Sequence, residues 1–199
     1  MSYPRRWGAV VLAGLAVGAA TALLQGQLAE PWGSLVNAAS PWVTPAFFLG
    51  LLWRRVVTGM LAGAVACGLE LAGYYGTDLA RGYPVSHTEV FFWGICAIIG
   101  GPVFGAAGWA WWRGRAWSRG LGAAALPAAY LAEAAVTYGW TLHYWSSVML
   151  FVGAGLVAIV LLGYLRSRSS HVAGWLLATF PVGVVAEVML VAVTRNGLR

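Results

Sequence analysis

Charge is what this sequence has least of. Asp, Glu, Lys and Arg together make up 9% of 199 residues, whereas a soluble domain of that length carries roughly a quarter. A surface wetted by water is therefore excluded, and the expected solvent is lipid. Lysine is missing altogether, so all twelve basic residues are arginine. They cluster between apolar runs rather than along one amphipathic face, which is a topology signal before it is a nucleic-acid signal; no nucleic-acid partner is expected. Cysteine is scarce too. Cys67 and Cys96 fall inside apolar runs, without the C-x-x-C or His spacing of a zinc site or redox pair. They read as small packing residues, and no metal or other cofactor is expected. No fixed-period repeat or long linker appears, which leaves a single integral membrane domain over residues 1–199.

What is abundant is apolar surface, at 60% of the residues. A span needs about twenty residues, and the runs at 7–28, 35–53, 56–75, 89–112, 120–140, 146–165 and 171–193 predict an all-α, polytopic bundle of seven transmembrane helices. The first run follows Arg5 and Arg6 as a signal peptide would, but the rest of the chain is equally apolar, so it is expected to stay as a helix. The second run is the weakest. Asn37, Ser40, Pro41, Thr44 and Pro45 interrupt it, and proline removes a backbone donor and kinks a helix, so a broken or re-entrant element is expected there. With seven spans, Arg5, Arg6, Arg54, Arg55, Arg113, Arg115, Arg119, Arg166 and Arg168 fall on one side, and Arg81, Arg195 and Arg199 on the other. The richer side is expected to be cytoplasmic. That puts the N-terminus in and the C-terminus out, in a bacterial cytoplasmic membrane. The pairs Gly14/Gly18, Gly59/Gly63 and Gly101/Gly105 have the spacing that lets helix backbones approach closely. Gly100, Gly101 and Pro102 are expected to bend or open the fourth run.

All six acids fall toward the outer side of this topology: Glu30, Asp78 and Glu89 in loops or at a helix end, and Glu70, Glu133 and Glu187 inside spans. A carboxyl at membrane depth is expensive and normally faces the bundle interior, so these three are the candidate catalytic residues. Helical spacing puts Gly59, Gly63, Cys67, Glu70 and Tyr74 on one stripe, a candidate cavity wall. The same rule groups Tyr130, Glu133, Thr137 and Trp140, and Phe180, Gly183, Glu187 and Thr194. The purely structural reading of each acid is a protonated group hydrogen-bonded to a neighbouring helix.

Aromatics are plentiful, with twelve tryptophans and eight tyrosines. Trp7, Trp53, Trp109, Trp111, Trp112, Trp117 and Trp175 suit the cytoplasmic interface, where indoles settle between lipid tails and headgroups. Trp42, Tyr74, Trp93, Tyr130, Tyr138 and Trp140 share the outer half with the acids and are candidates to line a cavity there, where a ring face stabilises a cation by about 0.5–2 kcal/mol. Asn37, an amide at membrane depth, joins them as a binding candidate, as does His143, which follows the face of Glu133 and Trp140. Such acids beside rings fit an enzyme that makes and tames carbocations: a carboxylic acid in an apolar site can stay protonated near neutral pH and serve as a general acid.

The run Leu35-Val36-Asn37-Ala38-Ala39-Ser40-Pro41-Trp42, the pair Tyr74-Tyr75, the segment Gly100-Gly101-Pro102-Val103-Phe104-Gly105 and the step Ala132-Glu133-Ala134 resemble small bacterial multi-pass membrane proteins. Some of these are similar to integral-membrane terpene cyclases of prenylated-indole (drimentine-type) pathways. The resemblance implies proton-initiated cyclisation of a prenylated lipophilic substrate entering from the bilayer. It supplies no catalytic motif residue by residue, so Glu70, Glu133 and Glu187 rest on their own placement. The competing reading is the substrate-binding subunit of an energy-coupling-factor vitamin importer, whose exposed small residues on the first helix find a counterpart in Ala9, Ala13, Gly14, Gly18 and Ala22; its six spans, against the seven read here, count against it. A structural membrane protein without chemistry stays open beside both.

Overall fold

The computed structural model describes residues 2–164 and 171–197; Arg166, Arg168 and Arg199 of the charge argument lie outside them. The chain folds into helices α1 (Tyr3–Leu24), α2 (Gly33–Val36), α3 (Ala39–Gly50), α4 (Val56–Ala80), α5 (His87–Arg113), α6 (Ala116–Glu133) with a π-helical continuation (Ala134–Leu142), α7 (Trp145–Leu162) and α8 (His171–Gly197). Six of these, α6 counted with its continuation, are long and apolar enough to cross a membrane. The protein is a multi-pass helical membrane bundle. The expected runs correspond to helices, with ends shifted by several residues, but the second run breaks. Its helical part, α3, has twelve residues and rises about 18 Å at 1.5 Å per residue, short of the roughly 30 Å hydrocarbon core.

Small residues set how closely the helices pack. A Cβ on Gly18 would stand 1.9 Å from the Glu70 carbonyl oxygen, and one on Gly63 would stand 2.1 Å from that of Gly101. Only glycine lets α1 and α4, and α4 and α5, come so near, as the four-residue spacings anticipate. Pro102 lies inside α5, yet that helix remains continuous from His87 to Arg113.

The same contacts give direction. Gly14 meets Ala66 and Leu69, and Gly18 meets Glu70 and Tyr74, so residue numbers rise together and α1 and α4 run parallel. Trp53, at the entry to α4, stacks on Trp7 near the start of α1 with ring centroids 4.9 Å apart. Residues 25–55 therefore bring the chain back along the bundle between two parallel helices. α6 and α8 are parallel as well, with Gly120 beside His171 and Trp175 and Thr137 bonded to Glu187. The ends of the bundle are sorted by charge. Arg54 offers its carbonyl to the Trp109 indole at 3.1 Å beside the Trp7–Trp53 stack, while Glu30 accepts from Ser147 at 2.7 Å at the opposite end.

Candidate functional site

At the acid-rich end, α3, α4 and α5 enclose a cavity of about 390 Å³, within the few-hundred-Å³ range usual for small-molecule sites. Its α4 wall is the stripe read from the sequence: Gly59, Gly63, Cys67 and Glu70 are buried in register, and Cys67, Glu70 and Tyr74 reach the cavity. Three- and four-residue steps put them on one face, and the small residues below let α5 close against it. The break before α3 supplies the facing wall, with Asn37, Ala38, Ala39 and Trp42. Trp93, Cys96 and Ala97 of α5 complete it, and Gln25 and Thr194 border it from α1 and α8.

Glu70 is the distinctive group. It is 0% exposed, and neither carboxyl oxygen has a hydrogen-bond partner. A buried polar group left unpaired is costly and uncommon, and this one borders a cavity. Around it the rings are ordered edge to face, Trp42 on Tyr74 at 5.6 Å and Tyr74 on Tyr75 at 5.1 Å. The Tyr74 hydroxyl donates to the Gln25 side-chain carbonyl. Among the described residues, no arginine lines the cavity. Arg81 sits 3.9 Å from Asp78, donates to the Ala22 carbonyl at 2.6 Å and lies over the Tyr83 ring.

The other two span glutamates are elsewhere. Glu133 accepts from the Ala39 amide at 2.7 Å, the Ser40 amide at 2.9 Å and the Ser40 hydroxyl at 2.6 Å. The two amides are orphan donors of the first turn of α3, whose own N-cap position is Ala38 and makes no side-chain cap; a carboxylate there also complements the helix dipole. Glu187 accepts from the Thr137 hydroxyl and is an electrostatic neighbour of Glu133. These two acids thus form one group behind the cavity wall, and Glu70 stands apart from them.

Among the expected binding residues, Asn37, Trp42, Tyr74 and Trp93 line the cavity. Tyr130 instead pairs with Thr44 at 3.0 Å. Tyr138 is buried, donates to the Ser34 carbonyl at 2.9 Å and stacks on Phe151 at 4.7 Å. Trp140 is 83% exposed, and His143 ends the π-helix in the left-handed region at φ 59°. Neither borders the cavity. The face that carries Tyr130, Glu133 and Thr137 meets α3 and α8 instead of the cavity, so spacing groups side chains without showing what they face. Tyr75, Glu89, Cys96 and Thr194 also line the cavity. Tyr75 adjoins Tyr74 and Thr194 shares the Glu187 stripe, whereas Glu89 and Cys96 carry no such signal in the sequence.

The family model for a family of unknown function (DUF6518) matches residues 1–196, and the chain belongs to that family. No curated protein and no solved structure matches it.

Proposed function

We propose that this member of the DUF6518 family is an intramembrane cyclase that protonates a lipophilic, prenylated substrate, with Glu70 as the proton donor. The observation that carries the reading is the Glu70 carboxyl, enclosed, without a partner and bordering a ring-lined cavity. An unpaired anion at that depth would bear a desolvation cost that nothing offsets, so the surroundings favour the neutral acid that such chemistry needs. The acid's proton forms a C–H bond at one alkene carbon and leaves a tertiary cation at the other. An internal alkene supplies the electron pair that closes the ring. Loss of a proton from the cyclised cation to the Glu70 carboxylate restores the acid, so the reaction is an isomerisation. Trp42, Tyr74, Tyr75 and Trp93 present π faces to the cationic intermediates.

The proposed placement is seven crossings of a bacterial cytoplasmic membrane, N-terminus inside, with the broken α2–α3 segment as the second crossing. Two features support it: the parallel packing of α1 and α4, which needs a return between them, and the arginine-rich end at the N-terminus. One feature favours the importer-subunit reading, namely that six helices have spanning length. Parallel α1 and α4 weigh against six simple alternating crossings.

The test is purified protein in lipid discs given a farnesylated indole, with products read by mass spectrometry. Glu70→Gln keeps the shape without an acidic proton. It is expected to fold and bind yet lose turnover by several hundredfold or more, about the upper range for general acid catalysis. Full activity in Glu70→Gln would refute the mechanism. Absence of any altered prenylated compound, with glutamate-dependent binding of a small water-soluble vitamin, would move the assignment to the importer class.

A further inference from the structure

Apart from Glu70, the carboxyl in the cavity lining lies at one end, with the start of α5. Glu89, in the first turn of α5, is exposed, borders the cavity and lies within electrostatic range of both Tyr74 and Tyr75. Deeper in, apart from Glu70, the wall is Val43, Leu71, Ala97 and the two cysteines. A ligand matching this gradient has a polar head at the mouth and an apolar body inside.

The sign of that head can be read from the charges around it. Glu89 is the exposed acid that borders the cavity, with Asp78 also within electrostatic range of Tyr74, and among the described residues no arginine lines the cavity. Among the described residues, Arg81 lies within electrostatic range of Tyr74 but is engaged by Asp78 and the Ala22 carbonyl, and Arg195 reaches toward the Thr141 carbonyl at 3.5 Å. An anionic head such as a diphosphate would meet a carboxylate and ring faces, both repulsive to it, with no cation in the described lining to offset them. A cationic head would gain an ion pair and cation–π contacts. Glu89 also has a structural role at N3 of α5, where Ser86 caps its amide, but that role does not account for a side chain bordering the cavity.

We infer that this cavity takes an amphipathic organic cation, an ammonium-headed molecule with an isoprenoid-like body, its head at Glu89 and Tyr75 and its body extending toward Glu70. The inference shares with the proposed function only the premise that this cavity is the substrate site, and it narrows the substrate to one that is not a prenyl diphosphate.

The chain carries its own reporter: of its two cysteines, Cys67 is buried, while Cys96 is partly exposed and lines the cavity. In lipid discs, a lipophilic maleimide would label Cys96, with occupancy read by peptide mass spectrometry in the presence of geranyl-trimethylammonium, geraniol or geranyl diphosphate. The expected result is protection by the ammonium compound at about tenfold lower concentration than geraniol, the order of one ring contact plus one partly exposed ion pair, and the least protection by the diphosphate. Glu89→Gln, which keeps a capping residue at N3, should bring ammonium and alcohol within about threefold of each other. Equal protection by geraniol, or better protection by the diphosphate, would overturn the cationic head and leave the cyclase reading standing. An undiminished ammonium preference in Glu89→Gln would overturn the assignment to Glu89. No protection by any of the three would overturn this inference and the proposed site together.

Discussion

Three glutamates look alike in the sequence, and their surroundings give them different work. Glu133 satisfies three donors at the start of α3, so Glu133→Ala should strand buried amides and destabilise the protein by on the order of 3 kcal/mol, measured as a shift in chemical unfolding in detergent. Glu70 bonds to nothing. Glu70→Gln should therefore change stability by less than about 1 kcal/mol while removing turnover; a large stability loss would mean that Glu70 is glue. Trp140, 83% exposed, belongs to the boundary, and Trp140→Leu should leave turnover within about twofold of the parent, since no cavity contact is lost.

At the scale of elements, glycine placement decides how the helices meet. A Cβ at Gly63 would strike the Gly101 backbone, whereas one at Gly68 would meet nothing within 4 Å. Gly63→Val should cost about 3 kcal/mol or more through overpacking. Gly68→Ala, in the same helix, should be neutral or stabilising by up to about 1 kcal/mol, and thermal unfolding of the two variants side by side separates packing from propensity. If both variants behave alike, the close α4–α5 contact is wrong. The break before α3 is held by another element, since Ala38 cannot cap the helix and a carboxylate from α6 does so instead. Cavity wall and cap are thus one construction: loosening Glu133 should also move Ala38, Ala39 and Trp42.

For the whole molecule, the charge sorting makes a prediction about orientation. Reporters that are active only outside or only inside the cytoplasm, fused after Arg199 and in the Arg81–Tyr83 turn, should both read as external, as the positive-inside rule requires for an arginine-rich N-terminal end. A cytoplasmic C-terminus would remove one crossing and favour the importer-subunit class.

The sequence by itself determined the solvent, the helical class and the position of most helices, because each follows from composition and from apolar runs bounded by arginine, glycine and proline. It also determined one wall of the site: Gly59, Gly63, Cys67, Glu70 and Tyr74 share a face on any α-helix, so spacing is enough to group them. Which acids share a site was decided only by the tertiary structure. Glu133 and Glu70 differ by what α3 brings to them, an amide-rich helix start in one case and an empty wall in the other, and nothing within four residues of either encodes that choice. The surroundings of Tyr138, Trp140 and His143 were also decided there, since a π-helical turn changes the angular step per residue and this segment packs against α7 and α8. Periodicity reads what a helix shows on each face; it does not read what another helix places against that face.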